Sequence, residues 1–276
     1  MTYREALNLG ERILAERDIA DAKTDAWLLL SAACRMERSF YYLHMEEEVP
    51  QDEFDEYEIA LKKRAEHVPL QYIVGETEFM GLKFKVNSSV LIPRQDTETL
   101  VEEALKVVQP GMKVLDLCTG SGCIIISILH SVPGVDGCAT DISKQALNVA
   151  RENAKLNDVQ VMFEQSDLFD RVAGVYDVIV SNPPYIASAE ILKLMPEVQL
   201  FEPQEALDGK EDGLFFYREI ASGAKDYLTS GGRLLLEIGY DQGGAVSSLL
   251  ADAGFTEVRV IRDFARNDRV VSAVWQ

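Results

Sequence analysis

The sequence lacks the features that mark secreted, membrane-spanning or metal-binding chains. Its four cysteines, Cys34, Cys118, Cys123 and Cys138, lie in apolar contexts with no Cys-x-x-Cys pair. That spacing gives neither a disulfide framework nor a zinc site, so reduced core thiols are expected. Three scattered histidines, His44, His67 and His130, add no ligand cluster, and no metal is expected. The longest apolar run, residues 26–34, has about half the length of a membrane span. Met1-Thr2-Tyr3-Arg4-Glu5 carries no signal-peptide pattern, and a soluble cytoplasmic protein without a membrane partner is the expectation. Basic residues are scarce as well: 27 Lys and Arg stand against 46 Asp and Glu, a net charge of −19. Such a surface repels phosphate backbones, which argues against free nucleic acid and in favour of a basic protein partner, although acidity also serves solubility alone.

What is present is ample core material. With 47% hydrophobic residues over 276 positions, the chain has room for one large and one small domain. Thr2-Tyr3-Arg4-Glu5 has capping-box spacing, and Leu7, Ile13 and Leu14 follow on one helical face. Asp21 is placed to cap a second helix carrying Trp27, Leu28 and Leu30. Pro50 precedes a third, with Phe54, Tyr57, Ile59 and Leu61 as its apolar positions. Glu46-Glu47-Glu48 reads as a solvated loop. Residues 1–74 thus form a helical domain with no catalytic constellation, suited to binding a protein substrate, and residues 75–276 hold a hairpin linker and a catalytic domain.

From Gly75 the period changes to two: Phe79, Leu82, Phe84 and Val86 alternate with polar residues around Gly81, the pattern of a hairpin. Asp96 is placed to cap a helix through Leu100, Val101 and Leu105. Arg94 and Glu98 fall at that loop-to-helix junction, where helix-start chemistry and a place in a site account for them equally well. After Gly111 strands and helices alternate, which implies a mostly parallel sheet covered on both faces. The seven strands are expected at residues 113–117, 137–140, 160–165, 176–181, 232–238, 257–261 and 270–275. The short polar link before the last makes it an antiparallel hairpin partner.

Two stretches carry chemistry. Val114-Leu115-Asp116-Leu117 runs into Cys118-Thr119-Gly120-Ser121-Gly122, a strand entering a glycine turn, and Cys123-Ile124-Ile125-Ile126 opens a helix. Gly120 and Gly122 allow a ligand close to the backbone, with helix amides pointing at it. Ile125 stands where a dinucleotide motif needs its third glycine, which disfavours pyrophosphate, and no Gly-Lys-Ser/Thr follows. Asp141, at the second strand end, has the position of an acceptor for both ribose hydroxyls, which by itself does not separate adenosylmethionine from NAD. Asp167, at the third strand end, is placed to receive an adenine amino group while Leu168 packs on the base. Both carboxylates also suit helix caps.

The second stretch is Ser181-Asn182-Pro183-Pro184-Tyr185, reached from the buried strand Tyr176-Asp177-Val178-Ile179-Val180. Pro183 keeps Asn182 out of the helical region, and two fixed φ angles hold the backbone open. The loop therefore offers acceptors, the Asn182 side-chain oxygen and a carbonyl near Pro183, and no nucleophile. A planar NH2 group would donate to both while the Tyr185 ring covers its face. Taken alone, Asn-Pro-Pro also ends strands without any function.

The glycine turn, Asp141 and Asn182-Pro183-Pro184-Tyr185, in this order, resemble the class I adenosylmethionine-dependent methyltransferases that act on planar nitrogen. More narrowly, Tyr72-Ile73-Val74-Gly75, Glu78-Phe79-Met80-Gly81-Leu82, Leu91-Ile92-Pro93-Arg94 with Thr97-Glu98, Phe201-Glu202-Pro203 with Ala206-Leu207, and Glu237-Ile238-Gly239 with Gln242 are similar to the glutamine-amide methyltransferases of peptide chain release factors. The resemblance implies a Rossmann-like seven-stranded fold with its last strand antiparallel, behind a small N-terminal helical domain. It implies S-adenosylmethionine as cofactor, held by residues 118–122, Asp141, Asp167, Leu168 and Asn182. The target would be the glutamine of a Gly-Gly-Gln segment, carried on a basic domain that an acidic, monomeric enzyme attracts, with residues 182–185 catalytic. Cys118 departs from the family's usual glycine, and Gln95 from its usual proline. Rival expectations are a ribosomal-protein glutamine, the adenine amino group of DNA, and an idle binding module that keeps the fold. The charge and the missing basic recognition domain argue against DNA, and the intact loops argue against idleness.

Overall fold

The structure, a computed structural model, describes residues 1–276 and divides into two compact bodies. The first comprises Met1–Gly75 with Met195–Phe201, and the second Glu76–Leu194 with Glu202–Gln276. The excursion at Met195–Phe201 has no counterpart in the two contiguous segments expected from the sequence.

The first body is helical: α1 (Tyr3–Ala15), α2 (Ala22–Ala33), α3 (Arg38–His44), α4 (Gln51–Ala65) and α5 (Leu70–Val74). Thr2 and Glu5 close the expected capping box, Glu5 N donating to Thr2 Oγ1 at 3.2 Å and Thr2 N to Glu5 Oε2 at 2.9 Å. Asp21 occupies the N-cap of α2 without a side-chain bond. The helix after Pro50 is the fourth, because the short α3 begins without a side-chain cap to announce it. Leu14, Leu29, Leu30, Tyr57 and Leu61 form the core, whereas Leu28 and Ile59 face water, 40% and 58% exposed. Buried Arg64 joins Asp25 at 2.7 Å to Glu197 of the excursion at 3.0 Å.

The second body opens with the hairpin β1 (Glu76–Phe79) and β2 (Leu82–Lys85), whose two turn residues Met80 and Gly81 both have positive φ, 51° and 73°. That geometry matches the strands' twist and favours glycine, so Met80 needs support. Glu98 supplies it: its Oε1 accepts from Met80 N at 2.7 Å. Asp96 does not cap the following helix, α6 (Glu98–Leu105), which opens from a 3-10 turn. Its carboxylate instead pairs with Arg269 at 2.9 Å, a long-range contact without a local signal.

The sheet then builds from β3 (Lys113–Leu117), β4 (Asp136–Asp141), β5 (Met162–Gln165), β6 (Tyr176–Ser181), β7 (Leu228–Glu237), β8 (Thr256–Arg262) and β9 (Asp268–Val274), in the order β5-β4-β3-β6-β7-β9-β8. Only β9 runs antiparallel to its neighbours, and it inserts between β7 and β8. Helices α7 (Cys123–Ser131), α8 (Lys144–Leu156), α9 (Ser188–Ile191), α10 (Pro196–Phe201), α11 (Phe215–Gly223) and α12 (Gly243–Asp252) intervene along the chain, α10 lying in the excursion assigned to the first body. Successive strand residues serve opposite faces: Val178 and Val180 pack with Leu100 and Ile124, while Ile179 packs with Tyr217 and Leu250. Burying each such side chain contributes about 1.5–3 kcal/mol. No helix is long and apolar enough to cross a membrane. The chain leaves β3 toward β4 and β5 on one side and returns at β6 on the other, so a topological switch point lies at the carboxyl ends of β3 and β6, where open sheets bind ligands.

Candidate functional site

At that switch point lies a cavity of about 410 Å3, within the range of small-molecule sites. The register explains why the motifs meet there. Leu117 pairs with Thr140 on one side and Ser181 on the other, and Ser181 with Leu236. The next residue of each strand or loop, Asp141, Cys118, Asn182 and Glu237, therefore forms a row along one edge of the sheet.

The turn after β3 is held in left-handed backbone at alternate residues, with φ of 58° at Cys118, 55° at Gly120 and 80° at Gly122. A Cβ at Gly120 would meet nothing within 4 Å, so the turn leaves open space above it, while one at Gly122 would come 2.9 Å from Ile126 Cδ1. Cys118 adopts the left-handed conformation that glycine tolerates best. Desolvation pushes its thiol pKa up, which favours the protonated thiol over the thiolate. Asp116, fully buried, accepts from Thr119 Oγ1 at 2.6 Å and props the turn from below. Burial pushes its carboxyl up to about 7 against that hydrogen bond. Its signal was one acid inside an apolar strand.

Asp141 does more than the sequence suggested. Its Oδ2 accepts from Gly120 N at 2.8 Å and its Oδ1 from Ser143 N at 2.8 Å, so it clamps the glycine turn to the start of α8. Burial raises its pKa, with the Ser143 and Gly120 amides opposing. Each oxygen keeps acceptor capacity for a further donor. Asp167 is exposed at the rim, and Leu168, at φ 43°, lines the cavity with Ile142. Ile142 is 54% exposed, an apolar side chain left uncovered beside a carboxylate, and sequence reasoning passed it over. Open backbone, a carboxylate with spare acceptor capacity and two apolar side chains fit a nucleoside with a polar sugar and a flat base.

On the other side of the switch point, Asn182 and Pro184 line the cavity, whereas Pro183 and Tyr185 do not. Pro183 is buried. The Tyr185 ring packs against the β6–β7 core instead of covering the opening. Its carbonyl accepts from Gln242 Nε2 at 3.0 Å, and a Cβ at Gly213 would fall 2.4 Å from it, so residues 209–213 and Gln242 clamp this loop from behind. The aromatic rings that do reach the cavity are Phe215 and Phe216, an edge-to-face pair at 5.2 Å. Asn182 Nδ2 donates to Thr97 Oγ1 at 3.4 Å. Arg94 lines the cavity too, its guanidinium held by buried Glu202, while Glu98 belongs to the hairpin. Burial pushes Glu237 up to about 7, opposed by Thr97, Arg269 and Asn182. No cluster of three His, Cys, Asp or Glu is arranged to hold a metal ion.

Comparison with known proteins places this geometry in a lineage. A family model described as the PrmC N-terminal domain matches residues 5–75, and one described as a methyltransferase small domain matches residues 95–202. The chain is similar to a release factor glutamine methyltransferase of Cereibacter sphaeroides, 44% identical over 275 residues, covering 99% of this chain and 98% of that protein. A release factor glutamine methyltransferase of Clostridium acetobutylicum is 40% identical over 282 residues, covering 99% of each chain. A solved methyltransferase from Pyrococcus furiosus shares the fold, with a TM-score of 0.54 at 18% identity over 70% of this chain and 89% of that one.

Proposed function

We propose that this chain, which belongs to the family of release factor glutamine methyltransferases, transfers a methyl group from S-adenosylmethionine to the side-chain nitrogen of the glutamine in the Gly-Gly-Gln segment of peptide chain release factors. Asp141 would hold the ribose hydroxyls, Asp167 the adenine amino group, and Ile142 with Leu168 the faces of the base. The turn of residues 118–122 would pass close beneath, its conformation fixed by Asp116 and Asp141. When bound, the cofactor supplies an electrophilic methyl group on a positively charged sulfur.

An amide nitrogen is a weak nucleophile because its lone pair is delocalised into the carbonyl. Asn182 Oδ1 and a backbone carbonyl of the Pro183-Pro184 segment, whose Pro184 lines the cavity, compensate by accepting its two N–H bonds, which raises electron density on nitrogen and fixes the direction of its lone pair. Orientation and preorganised acceptors then supply most of the acceleration. No general base is required, since the nitrogen becomes strongly acidic only once alkylated and loses its proton to water afterward. The cavity lining contains no histidine. Phe215 and Phe216, rather than Tyr185, are the rings available to cover the glutamine side chain. The net charge of −19 steers the enzyme toward a basic partner surface.

The observation that carries this reading is the orientation of Asn182: its NH2 is turned to Thr97, which leaves its oxygen for the cavity. Incubation with labelled methyl donor and a whole lysate, followed by peptide mapping, tests it. Label on the glutamine of a Gly-Gly-Gln peptide is the expected result. Label confined to a ribosomal protein or to DNA overturns it.

A further inference from the structure

We propose that Glu237 is a positioning residue: with Thr97 it sets which way the Asn182 amide faces, and thereby aims the amide oxygen at the substrate nitrogen. The inference rests on the reading above, because it concerns how Asn182 meets an amide NH2.

The β6–β7 register sets Ser181 against Leu236, so Asn182 and Glu237 follow side by side. Glu237 is 1% exposed and Thr97 2%. A carboxylate at this position is costly, and an apolar side chain would pack there at less expense. No cation pairs with it directly: Arg269 contacts Asp96 at 2.9 Å and Asp263 at 3.2 Å, and reaches Glu237 only through its field. Its Oε2 has no hydrogen-bond partner. Around the carboxylate, the Thr97 hydroxyl, the Arg269 charge and the Asn182 amide favour its charged form and Asp96 opposes it, although no hydrogen bond reaches Oε2.

Those neighbours form a directional chain. Thr97 Oγ1 accepts from Asn182 Nδ2 at 3.4 Å, and a hydroxyl that accepts still has a hydrogen to give. Glu237 is the buried acceptor beside it. An amide next to a carboxylate has one favourable orientation, NH2 inward and oxygen outward, because the flipped form sets two acceptors against each other. A threonine alone imposes no such choice, since its hydroxyl donates and accepts equally well. While Glu237 is ionised, its negative charge is what makes the orientation of Asn182 single-valued.

The test compares wild type, E237Q, N182D and N182D/E237Q on a purified release factor at saturating methyl donor. E237Q keeps the shape but offers both a donor and an acceptor, so the bias is lost. Its kcat should fall about tenfold to a hundredfold while S-adenosylmethionine affinity stays within about twofold by calorimetry. N182D sets a second, half-buried carboxylate beside the buried one. The double variant restores one acceptor and one donor, and should turn over at least about tenfold faster than N182D alone. The side-chain NH2 resonances of Asn182 should shift in E237Q. A glutamine variant with wild-type kcat and unmoved Asn182 resonances would overturn the inference, and so would a double variant no faster than N182D. A wild-type enzyme that leaves the release factor unmethylated brings down this inference together with the reading beneath it, whereas an active wild type beside an equally active E237Q brings down this inference alone.

Discussion

Two loops leave neighbouring strands of one sheet, and they are built on opposite principles. The turn after β3 relies on left-handed backbone, three residues in five of which only Cys118 is not glycine, clamped by Asp116 below and Asp141 beside it. The loop after β6 spends rigidity: two prolines fix the chain, and Gln242 and Gly213 brace the Tyr185 carbonyl behind it. The first makes a surface that a ligand backs onto, and the second presents acceptors at a single point. A site that must hold one molecule and polarise another needs both, and adjacent strands deliver them a few ångströms apart.

If that division holds, damage to the second loop costs rate and damage to the first costs binding or stability. The largest effect is expected for Asn182→Ala, a loss of about a hundredfold to a thousandfold in kcat with cofactor affinity retained. Steady-state kinetics checks it, and near-normal turnover would sink the acceptor role. Next is Asp116, whose buried carboxyl has its pKa raised from 3.8 to about 7. Between those values the folded chain holds a proton that the unfolded chain has released, so this group's contribution to stability is present below pH 3.8 and is lost as pH rises to about 7. Across that window the loss is on the order of 3 kcal/mol, and D116N should remove it. Denaturant melts at several pH values would show the wild-type slope persisting in the variant if Asp116 is not responsible.

Asp141→Ala should weaken S-adenosylmethionine binding by about 1.5–3 kcal/mol, the usual scale for hydrogen bonds to a charged group. Unchanged calorimetric affinity would remove Asp141 from the cofactor site. The smallest effect concerns Cys118. Glycine there should leave stability within about 1 kcal/mol of wild type, whereas C118V should cost about 1–2 kcal/mol, since a branched side chain resists positive φ. Equal melting temperatures for the two variants would show that the conformation of Cys118 is unconstrained.

Where chemistry and local pattern coincide, the sequence was legible. The β3 and β6 boundaries follow from apolar runs cut off by a glycine turn and by Pro183, and both match the structure residue for residue. Long-range choices left no local mark. The insertion of β9 between β7 and β8, the pairing of Asp96 with Arg269 and the segregation of α10 with the first body all depend on partners far along the chain. β7 begins at Leu228, four residues before the expected 232, because Gly231-Gly232 has the composition of a turn yet lies inside the strand at a register shift. The Tyr185 ring lies on the core side of its loop for a related reason: which face of a loop a ring takes is decided by what clamps the loop, here Gln242 and residues 209–213. Glu237 and Ile142 carry signals only in context, as an acid buried beside an amide and an apolar side chain left uncovered.

The division between the two loops is tested most directly by single-turnover methyl transfer to a purified release factor as the concentration of S-adenosylmethionine is raised to saturation. The account predicts that D141A recovers to within a few-fold of wild type at saturation, because only binding was lost, while N182A stays about a hundredfold slow however much cofactor is present. Recovery of N182A at high cofactor, or a D141A rate that saturation does not restore, would contradict it.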